Sequence, residues 1–278
     1  MKVMIIGRKE FLKILAIAAT IAALIIIGQV INGRVVPSTT EPFYQGMTEE
    51  KMISLTINVD WGEEYLPDML KILEKEDVKA TFFLTGRWAK EHPQLAKKIA
   101  DDGHEIGNHA YSHTSPNSMS YEENREEILK SAAAIKEATG VETTLYAPPS
   151  GEKESQVLKA AHSLGYQTIL WSIDTVDWKR PAATVISERV LKKAHAGGIV
   201  LSHPTYPTVE ALPTILQGLK KAGYSLVTVS QIIGSVAEEP VVVEDFRDDS
   251  EPQPRGKLHI YTKAGSLSSA EAFILCSR

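Results

Sequence analysis

Apolar residues follow two rhythms along this chain. Short stretches at 53–59 (ISLTINV), 80–84 (ATFFL) and 198–202 (GIVLS) are apolar throughout or alternate with small polar residues. That is the pattern of strands buried in a parallel sheet. Between them, Leu66, Met69, Leu70 and Leu73 recur at three- and four-residue spacing, which predicts a helix over 64–77. The same rhythms predict further helices over 88–100, 121–139, 154–164, 184–194 and 209–222. They predict further strands over 104–106, 143–146, 166–171 and 225–229. About seven strands alternating with helices imply a parallel sheet covered by helices, open or closed. A distorted or incomplete (β/α) barrel is the expectation within this α/β class, and it puts the chemistry at the C-terminal ends of the strands.

The ends of the chain differ from this middle. Lys2, Arg8, Lys9 and Lys13 precede an uncharged stretch from Ile14 to Gly33. A basic start followed by an apolar run fits a cleaved signal peptide or an uncleaved membrane anchor. The strictly apolar part, Ile14 to Ile27, suits the first, and the whole stretch suits the second. A signal-anchor hydrophobic helix over 1–34 is favoured, with the basic end in the cytosol and the rest outside. Residues 35–48, with Pro37 and Pro42, are expected to form a linker. The domain then spans 49–234. Residues 235–278, dense in acidic residues from Glu238 to Glu251, are expected to be an acidic, disordered tail.

Composition narrows the chemistry. Lys and Arg total 30 against 35 Asp and Glu, a formal charge of −5, which argues against nucleic acid as a partner. The one cysteine, Cys276, excludes an intramolecular disulfide and a multi-thiolate zinc site. Any metal must therefore be held by His and carboxylates. Candidates lie just past the predicted strands. Asp60 follows the first. His109-Ala-Tyr-Ser-His113 follows the third, and two imidazoles four apart on a helix or tight turn can grip one cation. Asp174 and Asp177 follow Trp171, and His203 follows the strand at 198–202.

In this order NVDWG, HAYSH, YAPPSG, DTVDW and LSH resemble the five motifs of the polysaccharide deacetylases. This is carbohydrate esterase family 4, with the NodB homology domain, and the resemblance covers roughly residues 50–234. It implies a distorted (β/α) barrel that removes acetyl groups from chitin, peptidoglycan or xylan with a divalent metal, Zn, Co or Mn. The DWGEE version is similar to a sporulation- or envelope-associated branch. By resemblance, Asp60 is the general base, and His109 and His113 are metal ligands. His203 is the general acid, tuned by Asp177. Tyr146, Pro148, Trp178 and Leu201 contact the substrate.

Two positions depart from the family pattern. Trp61 stands where the third metal ligand belongs, and Ala147 where an Arg orients the base. The first weakens the metal, since two imidazoles hold a cation loosely; Glu63 or Glu64 offers a substitute oxygen. The second is expected to leave Asp60 without a cationic neighbour and less fixed. The expected function is metal-assisted, weak deacetylation of an N-acetylated envelope or spore polysaccharide. The alternative is a catalytically silent relative that binds glycan or a partner. The acetylated polysaccharide and, through the N-terminal helix, the membrane are the expected partners. Among other residues, Tyr111 and Tyr206 are possible groove walls. Trp171 and Trp88 are expected in the core, His104 as structural, and His92, His162 and His195 at the surface.

Overall fold

The computed structural model describes residues 40–234. The apolar N-terminal segment and the acidic tail lie outside the described residues. Among the described residues no helix is long and apolar enough to cross a membrane.

The first strand, β1 (Met52–Val59), lies at the middle of the sheet and is buried along nearly its whole length. It leads to α1 (Leu66–Lys75), β2 (Thr81–Leu84), α2 (Gly86–Glu91), α3 (Pro93–Asp101) and β3 (Glu105–Asn108). The long α4 (Tyr121–Thr139) follows, then β4 (Leu145–Tyr146), α5 (Ser155–Ser163), β5 (Gln167–Thr168) and β6 (Ile173–Asp174). The last elements are α6 (Ala183–Lys193), β7 (Gly198–Ser202), α7 (Tyr206–Lys221), β8 (Ser225–Val227) and α8 (Val229–Ile233).

Every strand ladder is parallel. The order is β5-β4-β3-β2-β1-β7-β6, with β8 beside the start of β1. The sheet curls into an incomplete barrel whose terminal strands, β5 and β6, are consecutive in sequence. Between β5 and β7 lies a short segment expected to be linker. Phe43 N–H donates to the Thr168 carbonyl at 2.8 Å, and its own carbonyl accepts from Leu170 N–H at 2.7 Å. Gly46 N–H donates to the Gly197 carbonyl at 2.8 Å. Residues 43–46 are thus part of the barrel wall.

Successive strand residues face opposite sides of the sheet. On β1, Ile53, Leu55, Ile57 and Val59 pack outward against the helices, with Phe82 and Leu84 of β2 and Val200 of β7 in the same cluster. Ser54, Thr56 and Asn58 face the other way. An inner cluster of Phe83, Leu145, Ile169, Ile199 and the three apolar residues of α8 fills the barrel interior. The same parity, carried past the strand ends, puts Asp60, His109, Leu201 and His203 on the inner side.

Several elements depart from the periodicity. The helix expected over 88–100 is two helices, parted at His92 because Pro93 starts a new one. The strand expected over 166–171 is confined to β5, and β6 and α8 are additional. The α4 helix matches its expected range, held at its start by a Ser120–Glu123 capping box and ended by Gly140 in the left-handed region.

Candidate active site

The strand ends enclose an open cavity of about 420 Å³, lined by Asn58, Asp60, Trp61, His109, His113, Leu201 and His203. Ser150, Gly151, Trp171, Asp174 and Trp178 complete the lining. Its size falls within the range of roughly 300–1,000 Å³ usual for ligand sites.

The end of β7 carries a complete hydrogen-bonded pair. Asp177 is fully buried. Its carboxylate accepts from His203 Nδ1–H at 2.7 Å, from His203 N–H at 2.6 Å and from Thr208 Oγ1–H at 2.8 Å. With Nδ1 committed, His203 turns Nε2 toward the cavity. The imidazole has 19 % of its side chain exposed and can carry a proton to a bound ligand.

At the end of β3, His109 is buried. Its Nδ1–H donates to the Ala147 carbonyl at 2.6 Å, which leaves the Nε2 lone pair for a ligand. Burial, and then the neighbouring His113, push its pKa down to about 3 against the opposing hydrogen bond. The ring is therefore neutral at ordinary pH. His113 stands edge-on to it, with ring centroids 5.0 Å apart. The expected helix or tight turn is an irregular loop, with Ala110 and His113 at positive φ. Glu127 of α4 clamps this loop by accepting from Tyr111 N–H, Ser112 N–H and Ser112 Oγ–H at 2.8–3.1 Å. Sequence pattern gave no hint of Glu127, an ordinary-looking helix acid.

At the end of β1, Asp60 does have a cationic neighbour, contrary to expectation. Arg87, in the first turn of α2, places Nη2 3.0 Å from both carboxylate oxygens. Thr85 Oγ1–H adds a bond at 2.9 Å. The pairing arises because β2 lies directly beside β1: Thr85, just past β2, stands next to Asp60, just past β1, and Arg87 follows two residues later in the first turn of α2. Gly62, at φ 85°, makes the turn after Trp61, and a Cβ there would collide with the Pro204 carbonyl.

Other residues singled out in the sequence lie as follows. Tyr146 is 1 % exposed and packs edge-on against Tyr166 in an apolar cluster with Val157 and Ala161, so it presents no face to a ligand. Pro148 is buried as well and backs the Ser150–Gly151 turn that reaches the cavity. Trp171 is half-buried and lines the cavity while packing on the inner cluster. Glu63 lies 3.9 Å from His92, and Glu64 is exposed outside the lining. Neither lends an oxygen to the two histidines.

The donor set decides what the site can hold. The third ligand place carries an indole, which offers no lone pair. Among the described residues no three His, Cys, Asp or Glu side chains are disposed to hold one metal ion. The residues present therefore do not fit a three-ligand metal centre; two imidazoles remain.

Comparison with known proteins accords with this geometry. Residues 45–169 match the family model described as polysaccharide deacetylase. The chain is 44% identical over 193 residues to the uncharacterized protein YlxY of Bacillus subtilis, covering 69% of this chain and 60% of that one. It is 35% identical over 198 residues to the peptidoglycan-N-acetylmuramic acid deacetylase PdaA of the same organism, covering 69% of this chain and 75% of PdaA. The crystal structure of BA3943, a CE4 family pseudoenzyme from Bacillus anthracis, superposes with a TM-score of 0.69 at 46% identity, covering 70% of this chain and 69% of that one. A mutant of BA3943 with restored enzymatic activity superposes equally well, at 0.69. The curled parallel barrel, the strand-end site and these relatives together make this chain a member of the polysaccharide deacetylase family, carbohydrate esterase family 4, whose hydrolases act on carbon–nitrogen bonds other than peptide bonds.

Proposed function

We propose that the cavity binds an N-acetylated cell-envelope polysaccharide, of peptidoglycan or chitin type, and hydrolyses its acetamide bond only weakly. The observation that carries this reading is the asymmetry of the site. Asp60, held by Arg87 and Thr85, can take a proton from water. His203, held by Asp177, can return one to the departing amine. In the family a bound cation polarises the carbonyl and acidifies the attacking water. Trp61 leaves too few donors here for that role, so the acid and base act on an unactivated carbonyl. The basic-then-apolar N-terminal segment supports action outside the cytoplasm, whether it stays as an anchor or is cleaved. Spore or vegetative envelope is the setting that the DWGEE motif suggests.

A second reading is favoured by Trp61 itself and by the likeness to a pseudoenzyme: a glycan-binding relative without turnover. Acetate release from N-acetylglucosamine oligomers and muropeptides separates the two. Slow release, in EDTA as well as with Zn, Co or Mn supplied, that Asp60→Asn abolishes is the expected outcome. Glycan binding with no acetate under any metal would establish the second reading instead.

A further inference from the structure

Trp61 has so far figured only as a missing ligand, but its surroundings give it a use. The indole lines the cavity and is 38 % exposed. It lies parallel to the His203 ring, with centroids 6.0 Å apart and planes 7° apart. His203 is itself fixed by Asp177, so the indole rests on a braced support and loses little freedom when a ligand arrives. Trp178 adds a second exposed indole to the same lining, at 53 % exposure. Indole faces carry negative charge density and match the C–H faces of a pyranose ring.

A second observation is independent of Trp61. Asn58 is 6 % exposed, lines the cavity, and its Oδ1 is buried without a hydrogen-bond donor. Thr56, on the same side of β1, is satisfied, its Oγ1–H donating to the Val200 carbonyl at 2.8 Å; Ser54 Oγ is also unpartnered, but of the two only Asn58 lines the cavity. A buried acceptor without a donor is costly and uncommon. An N–H or O–H of a ligand in the cavity would satisfy it.

We propose that Trp61 and Asn58 form a metal-independent binding site for an acetamido sugar, the ring face stacking on the Trp61 indole and a sugar N–H or O–H donating to Asn58 Oδ1. The inference rests on the glycan reading of the same cavity and deepens it. It makes Trp61 a recognition residue, so affinity for glycan survives where metal affinity does not.

The test is a calorimetric titration of the purified full chain with the N-acetylglucosamine tetramer in EDTA. Run without metal, it reads binding whether or not the zinc-loaded chain releases acetate. Trp61→Ala is expected to weaken binding roughly tenfold, and Trp61→Phe to retain most of it. Asn58→Leu, close in shape and lacking the acceptor, is expected to weaken binding while leaving the melting temperature undiminished. A structural role for Asn58 would lower both. If Trp61→Ala binds like the parent while Trp178→Ala loses affinity, the glycan reading stands and this inference falls. If binding appears only with zinc and ignores Trp61→Ala, the inference also falls. If the tetramer fails to bind both in EDTA and with zinc supplied, the glycan reading fails and takes the inference with it.

Discussion

At the end of β7, Asp177 accepts three hydrogen bonds from groups of its own chain, and His203 is fixed as a result. At the ends of β1 and β3 the arrangement differs: His109 is oriented from behind by the Ala147 carbonyl, but its Nε2 and the neighbouring His113 face a cavity whose next wall is an indole. The two regions are built by the same device, residues just past parallel strands. One is closed upon itself and folds to its final form without help. The other offers two imidazoles with no third donor disposed beside them among the described residues, and its worth depends on what is added from outside. Loss of catalytic power can therefore be local to one loop, with the rest of the site intact.

The comparison can be broken most forcibly at Asp177. Replacing it with Ala strands three donors, the Thr208 hydroxyl fully buried and both His203 groups partly so, and is expected to lower stability by on the order of 3–5 kcal/mol in chemical denaturation. His113→Ala, in the half-built region, is expected to cost under about 1 kcal/mol. Similar losses at both positions would show that the two regions are not different in kind.

Acid should expose the buried imidazoles next. Burial lowers the pKa of His104 to about 4 and that of His109 to about 3. Both lie below the ordinary histidine value, so the unfolded chain binds more protons between those values and about 6.5. Their neutral forms are fully tolerated above pH 6.5, and stability is lost as pH falls toward 4. A loss of about 5 kcal/mol for the pair between pH 7 and pH 4.5 is expected from denaturant midpoints. A flat profile would mean that these rings are not buried in solution.

Trp61→Asp should complete the coordination shell and raise zinc affinity at least about tenfold by competition titration. Adding Ala147→Arg should contribute nothing more, because Arg87 already occupies the Asp60 carboxylate. A requirement for both substitutions would mean that the Arg87 pairing does not persist in solution.

The smallest expected effect is at Arg87, whose side chain is 46 % exposed. Arg87→Ala is expected to cost about 1 kcal/mol or less. Arg87→Lys should retain most of the pairing, since a single nitrogen reaches both oxygens.

Local periodicity carried much of this molecule. The runs at 53–59 and 198–202 specified buried parallel strands, and the three- and four-residue spacing specified α1 and α4, because burial of one face imposes a period that the sequence must obey. Period-two parity, extended past the strand ends, also committed Asp60, His109 and His203 to one side. What the sequence left open was which strand end stands beside which. Arg87 meets Asp60 only because β2 lies next to β1, Tyr146 is sealed by Tyr166 rather than offered to a ligand, and Phe43 joins the wall only because β5 presents the Thr168 carbonyl to it. Those pairings join residues far apart in the chain, and they are decided by strand order and crossover packing. No local window of residues encodes that order, so only the folded barrel could decide it.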